Sequence, residues 1–314
     1  MIITKKQYFE NLNRFSEKVI NYEDNKFFKI LYRTEENNKN AIIFIHGFND
    51  NFYHFHISNF FLKKNFDIYA PSLKNYGRSC YDREKLYHID DLKKYFTDID
   101  NTILHIENLK KYEKIYIIGH STGGITSTLY CHEGKYKNKI SGLILNSPFF
   151  SFYDDSYINY FLHYVVYYIG KYFPNICIRK ENKNSINSYS VFIYNKFHVE
   201  ENCKLLHNAP IFSGWIYTVI KNQQFISKNK LNIDIPVLIL NSDKTYNNNF
   251  NYNIFQNEKY QIAKDIFKNN NFSKSFGENT EEYIIKNSDH DLFCSSRYII
   301  NLVLDKITDW LEKN

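Results

Sequence analysis

Glycine and proline are scarce in this chain, at 10 and 5 of 314 residues, with one methionine and two tryptophans. In a background that avoids glycine, each one retained marks a place where the backbone requires it. The five cysteines (Cys80, Cys131, Cys177, Cys203 and Cys294) are odd in number and form no C-x-x-C pair. That argues against a disulfide framework and against a zinc site. No apolar run reaches the roughly 18 residues of a membrane span. The densest, Tyr160 to Tyr172, is broken by His163, Gly170 and Lys171. The start, Met1-Ile-Ile-Thr-Lys-Lys-Gln7, has no apolar stretch of signal-peptide length. A reduced, cytoplasmic setting is therefore the expectation. A strong charge of one sign is lacking as well. Lys and Arg number 40 against 34 Asp and Glu, and the +6 balance is scattered rather than striped. That argues against a nucleic-acid-binding face.

What is there is 43% hydrophobic and 24% charged, the composition of a globular protein. Tyr, Phe, Asn, Lys and Ile abound, and because Asn and Lys crowd every loop alike we read this as background composition. Short apolar runs alternate with longer helical patterns: Phe27–Tyr32, Ala41–Ile45, Phe66–Ala70, Ile115–Ile118, Ile140–Leu145, Val237–Leu240 and Tyr283–Ile285. Near-continuous Ile, Val, Leu and Tyr suits strands covered on both faces, hence a mostly parallel α/β sheet. Asp90 to Tyr112 and Arg297 to Glu312 carry apolar residues at three-four spacing and predict helices. The alternation breaks between Ser151 and Asn232. An insertion of that size predicts a helical cap over residues 151–232, with residues 1–150 and 233–314 forming one catalytic domain.

The sharpest motif is Gly119-His120-Ser121-Thr122-Gly123, which follows the run Ile115–Ile118 and precedes a helical pattern. A serine raised on a tight strand-to-helix turn needs small neighbours on both sides, hence G-x-S-x-G. The turn also places Ser121 at a helix N-terminus, which favours developing negative charge. The oxyanion of an acyl-transfer intermediate needs donors. The N–H after the nucleophile, that of Thr122, is one candidate. The other is the N–H of Phe48 in the loop His46-Gly47-Phe48-Asn49-Asp50, where Gly47 lets the backbone turn inward.

With these motifs the sequence resembles the α/β-hydrolase superfamily, in its lysophospholipase, monoacylglycerol-lipase and serine-aminopeptidase-like branch. The resemblance runs over nearly the whole chain. It also rests on Tyr76-Gly-Arg-Ser79, Leu145-Asn-Ser-Pro-Phe149 and Asp289-His-Asp-Leu292, in the family's order. It implies a wound sheet with an inserted cap and hydrolysis of a carboxylic ester on a small, often lipid-like acyl substrate, without metal or organic cofactor. Alternatives are an aminopeptidase or amidase on the same scaffold, with Glu200 and Glu201 as the obvious acidic pair, or a non-catalytic binding protein.

The triad order of such enzymes is Ser, then Asp or Glu, then His. His290 stands after the last strand run and before the C-terminal helix, where the family keeps its general base. His46 and His120 sit in motifs where the backbone is expected to matter more than the ring. For the acid, Asp243 follows the strand Val237–Leu240 and is the first candidate. Relatives carry theirs further on, near Thr245 or Asn253 here, and Asp265 is a third candidate. The aromatic stretch Ser151 to Pro174 reads as cap core, or alternatively as a lid that touches a membrane surface. Oligomeric state stays open.

Overall fold

A computed structural model of the chain describes residues 2–22, 26–151, 157–243 and 275–314, of which 157–163 by backbone alone. All seven apolar runs are strands of one eight-stranded sheet. In chain order these are β1 (Ser16–Asn21), β2 (Phe27–Arg33), β3 (Asn40–Ile45), β4 (Phe66–Ser72), β5 (Lys114–His120) and β6 (Gly142–Asn146). Two strands of the inserted stretch, β7 (Cys177–Arg179) and β8 (Ile211–Phe212), form a small sheet of their own, and β9 (Val237–Ser242) and β10 (Thr280–Ile285) complete the large one. Its spatial order is β1-β2-β4-β3-β5-β6-β9-β10. β2 is antiparallel to both neighbours, and every other pairing in the large sheet is parallel. This is the α/β-hydrolase architecture.

The strand sequences explain the layering. Successive side chains of a strand point to opposite faces, and both faces here are covered. Ile43, Ile45, Ile117, Leu143, Leu145 and Ile239 lie in one apolar cluster, with α3 (Phe96–Leu109), α4 (Thr122–Glu133) and α7 (Ser213–Lys228). Ile42, Phe44, Ile118, Ile144, Leu238 and Leu240 lie in the other, with α2 (Phe55–Lys63) and the C-terminal helix α8 (Arg297–Lys313). α8 buries Ile299, Ile300, Val303, Leu304, Ile307 and Trp310, which is the periodic stripe read from its sequence. Gly142 is needed beneath it, since a Cβ there would lie 2.8 Å from the Trp310 ring.

Three features depart from or add to the sequence reading. β1 has no apolar run, and its polar residues pair only at the exposed edge of the sheet. The helix expected from Asp90 begins as a 3-10 turn, Leu92–Tyr95, because the Asp91 carboxylate accepts the Lys93 N–H at 3.0 Å and starts the chain winding there. The inserted stretch contains the antiparallel pair β7–β8 beside its helices α5 (Tyr157–Tyr172), α6 (Ser188–Phe197) and α7. In α5, Val166 and Tyr167 pack on the main core. Tyr164, Tyr168 and Tyr172, spaced four apart, are 55%, 39% and 63% exposed, so this face is not cap core. Phe152 and Tyr153 lie outside the described residues.

Trp310 is 2% exposed and its ring centroid lies 6.1 Å from that of Tyr116. Trp310→Ala is expected to cost about 3–5 kcal/mol through lost burial and the cavity left behind. Urea denaturation followed by circular dichroism measures it, and a loss within experimental error would show that α8 is not anchored through this ring.

Candidate active site

Strand register gathers the site. Ile45 stands opposite Gly119, and His120 opposite Asn146. The loops that leave β3, β5 and β6 therefore emerge side by side at the carboxyl edge, where open α/β sheets place their ligands. Ser121 follows β5 with φ 52° and ψ −119° and caps α4. Such a left-handed residue with a side chain is strained, and it is held because its neighbours have no room to relax. A Cβ on Gly123 would lie 2.3 Å from the Ile45 carbonyl oxygen, and one on Gly119 would lie 2.6 Å from Ser127 Oγ. The steric argument for G-x-S-x-G thus has named partners.

The loop after β3 lies directly against the serine, for a Cβ on Gly47 would stand 3.1 Å from Ser121 Cβ. The His46 ring fixes this loop. Its Nε2 accepts the Leu73 N–H at 3.0 Å, so Nδ1 carries the proton and donates to the Gly47 carbonyl at 2.9 Å. The ring, and not only the backbone, matters here. Burial holds its pKa down at about 4. Phe48 packs its ring on Trp215 and Tyr87, at 4.5 and 5.2 Å between centroids. Thr122 is the first residue of α4, where no earlier turn supplies a carbonyl for its N–H.

His290 Nε2 lies 3.0 Å from Ser121 Oγ. The histidine is half-buried, and desolvation of its ring, with the positive potential of nearby His120, pushes its pKa down to about 3. Its Nδ1 is buried without a hydrogen-bond partner among the described residues. The structure does not bring Asp243 to it: Asp243 Oδ1 accepts the Asn287 N–H at 2.8 Å. Asn253 and Asp265 lie outside the described residues.

The roles of several side chains at the site could not be read from the sequence. His54 is buried and donates from Nε2 to Asp291 Oδ2 at 2.6 Å. Asp291 Oδ1 accepts from Asn146 Nδ2 at 2.8 Å. Burial pushes the Asp291 pKa up, but His54, His120 and these two hydrogen bonds outweigh it, and the carboxyl sits well below its usual range. The His120 ring also contributes, donating from Nδ1 to the Asn146 carbonyl at 3.1 Å and lying 4.9 Å from the His290 ring. From the inserted stretch, buried Lys204 reaches Asp50 Oδ1 and the Asn49 carbonyl, each at 3.2 Å. These pairs lie 237, 145 and 154 residues apart in the chain, so no local spacing announces them. Two donor sets, His54–Asp291–Cys294 and Asp50–His120–Asp291, are close enough to meet at one ion. In the first the donors are already bonded to each other, with Cys294 Sγ 3.4 Å from Asp291 Oδ2.

Buried neutral histidines make the fold sensitive to acid. Burial lowers His46 to about 4, and His56 and His290 to about 3, against an ordinary 6.5. Below that ordinary value each of these three binds a proton in the unfolded chain and not in the folded one, whereas Asp98 and Glu282, raised by burial to about 7, do the reverse. The histidines therefore support the fold above pH ~6.5 and withdraw that support as pH falls toward ~4, while the two carboxyls oppose them, leaving a net slope of roughly one proton, about 1.4 kcal/mol per pH unit. Urea midpoints are expected to fall modestly between pH ~6.5 and ~5. A midpoint that rises over that range would contradict the neutral histidines.

A family model described as serine aminopeptidase, S33, matches residues 36–246, more than half of the chain. Comparison with curated protein sequences finds no match. Among solved structures, a soluble variant of monoglyceride lipase from Saccharomyces cerevisiae superposes with a TM-score of 0.70 at 17% identity, over 95% of this chain and 96% of that one. A monoacylglycerol lipase from Paleococcus ferrophilus gives 0.61 at 15% identity, over 95% and 98%. A carboxyl esterase from Bacillus coagulans gives 0.64 at 14%, over 95% and 98%. At these identities the likeness is one of fold, and the fold matches along nearly the whole of each chain. With the serine elbow in place and the family model spanning it, the chain belongs to the serine aminopeptidase, S33, family of the α/β-hydrolase superfamily.

Proposed function

We propose that the protein is a serine hydrolase of carboxylic esters, acting on lysophospholipid or monoacylglycerol substrates. The observation that carries this reading is Ser121 Oγ at 3.0 Å from His290 Nε2, on a strained elbow at a helix N-terminus. In the proposed reaction His290 Nε2 takes the Ser121 hydroxyl proton as Oγ attacks the ester carbonyl. The N–H groups of Phe48 and Thr122 hold the oxyanion. Collapse expels the alcohol, which receives the proton from His290, and a water deprotonated by the same imidazole releases the acid from the acyl-enzyme. Two of the folds matched above are monoacylglycerol lipases, which supports a glycerol-ester substrate. The aminopeptidase alternative has less behind it: Glu200 is committed to Arg78 at 3.1 Å, and Glu201 is exposed beside His207.

The exposed α5 face supports a transient membrane contact. Tyr164, Tyr168 and Tyr172 continue into Phe173 and Ile176, 62% and 47% exposed, with Lys171 Nζ 5.2 Å from the Tyr172 ring centroid. Aromatic side chains with a flanking cation suit a lipid interface. None of the described helices is long and apolar enough to cross a membrane. All five cysteines are free thiols, which is compatible with a reducing, cytoplasmic setting.

A fluorophosphonate probe tests the nucleophile. Wild type is expected to label, and Ser121→Ala and His290→Gln to lose about a thousandfold or more of the rate. A wild type that stays unlabelled favours the binding-protein alternative. In Asp243→Asn the amide oxygen keeps the Asn287 bond, so an unchanged rate is expected; much slower labelling would make Asp243 the triad acid. For the membrane contact, the double variant Tyr168→Ser, Tyr172→Ser is expected to lose about tenfold on monoacylglycerol in phosphatidylcholine vesicles while keeping its rate on p-nitrophenyl butyrate. Equal rates on both substrates, relative to wild type, would remove the membrane contact from the account.

A further inference from the structure

The serine and histidine come from loops with no covalent reason to meet, and one residue bonds to both. Asn146, the last residue of β6, is 1% exposed. Its backbone carbonyl accepts the Ser121 N–H at 3.2 Å and His120 Nδ1–H at 3.1 Å, so it holds the nucleophile's turn. Its side-chain amide faces the other way, onto the residues directly after His290. Nδ2 donates to Asp291 Oδ1 at 2.8 Å, and Oδ1 accepts the Leu292 N–H at 3.1 Å.

Resting on the hydrolase reading above, we propose that Asn146 is a positioning residue whose side-chain amide sets the His290 loop in register with the Ser121 elbow. Asp291 and His54 are the buttress behind it. The Asp291 carboxylate spends its hydrogen bonds on groups other than His290. Oδ1 accepts from Asn146 and from the Phe293 N–H at 3.0 Å, and Oδ2 accepts from His54 at 2.6 Å. His54 stands just before α2, so the His290 loop is pinned between β6 and the loop that leads into α2. The side chain supplies one donor and one acceptor in the order the loop requires. An apolar residue of the same shape would strand the Leu292 N–H, and an aspartate would set one carboxylate against another.

A role confined to stability would lower the melting temperature and leave turnover by the folded fraction intact. A positioning role acts on turnover itself, because a displacement of about 1 Å between nucleophile and base costs on the order of a hundredfold. The variants are Asn146→Leu, Asn146→Asp, Asp291→Asn and the double exchange Asn146→Asp with Asp291→Asn, beside wild type and Ser121→Ala. The readouts are the fluorophosphonate labelling rate, kcat and KM on p-nitrophenyl butyrate, and the thermal transition.

Asn146→Leu is expected to melt cooperatively, to lose about 10- to 100-fold in kcat and labelling rate, and to keep KM within about twofold. Asn146→Asp is expected to be worse. The double exchange restores a donor opposite an acceptor but sets an amide N–H against the Phe293 N–H, so it is expected to recover only part of the Asn146→Asp loss. Should Asn146→Leu fail to fold, folded Asn146→Asp decides: a kcat loss with KM within about twofold supports the proposal, and a wild-type kcat overturns it. Wild type that labels at Ser121 beside an Asn146→Leu with unchanged kcat overturns the positioning role and leaves the hydrolase standing. An unlabelled wild type overturns the hydrolase reading, and the positioning role with it.

Discussion

Two side chains 169 residues apart have to hold a separation of 3.0 Å, and neither of their loops can enforce it locally. The sheet does most of this work. Parallel pairing in fixed register brings the ends of β3, β5 and β6 level, so the serine turn, the loop carrying Phe48 and the Asn146 amide are neighbours before any side chain is placed. A slip of one residue would turn every inward side chain outward. Both faces of these strands are buried in separate apolar clusters, which makes such a slip prohibitive. The register therefore protects the chemistry because it first protects the core.

Around that frame the polar groups are buried in sets. His46 clamps the Gly47 carbonyl, His54 and Asn146 share Asp291, and Lys204 spans from the inserted stretch to Asp50 and the Asn49 carbonyl. Removing one partner leaves the other unsatisfied, at about 1–3 kcal/mol for a neutral hydrogen bond and about 3–5 kcal/mol for a buried ion pair. The same pairs give the site its stiffness. Asn49 illustrates the link to the inserted stretch. It holds a left-handed φ of 48°, and its amide exchanges hydrogen bonds with the Leu205 backbone at 2.9 and 3.2 Å. The loop after β3 and the inserted stretch thus rest on one another.

Much of this was legible in the sequence, and for physical reasons. A strand buried on both faces must be continuously apolar, so β3 to β6 and β9 announced themselves, and the half-exposed β2 and β10 were read from shorter apolar stretches. A serine on a tight turn needs its glycines, so the strained turn at Ser121 was legible from five residues, and the position of His290 between β10 and α8 from its place in the chain. β1 was not, because an exposed edge strand is free to be polar. The exposed Tyr164–Tyr168–Tyr172 face was not, because tyrosine is abundant throughout and its direction depends on what α5 packs against. The roles of the His54, Asn146 and Asp291 side chains were not legible, because they lie in contacts across more than a hundred residues. The ring of His46 was undervalued for a related reason: the Leu73 N–H that fixes its tautomer comes from another strand's exit.

The central claim is an acyl-enzyme on Ser121. Acid-quenched mass spectrometry of the wild type during p-nitrophenyl butyrate turnover tests it most directly. The account predicts a butyryl adduct that appears within the first turnover, decays as substrate is exhausted, and maps to the peptide containing Ser121. Steady hydrolysis with no adduct, or an adduct on another residue, would contradict it.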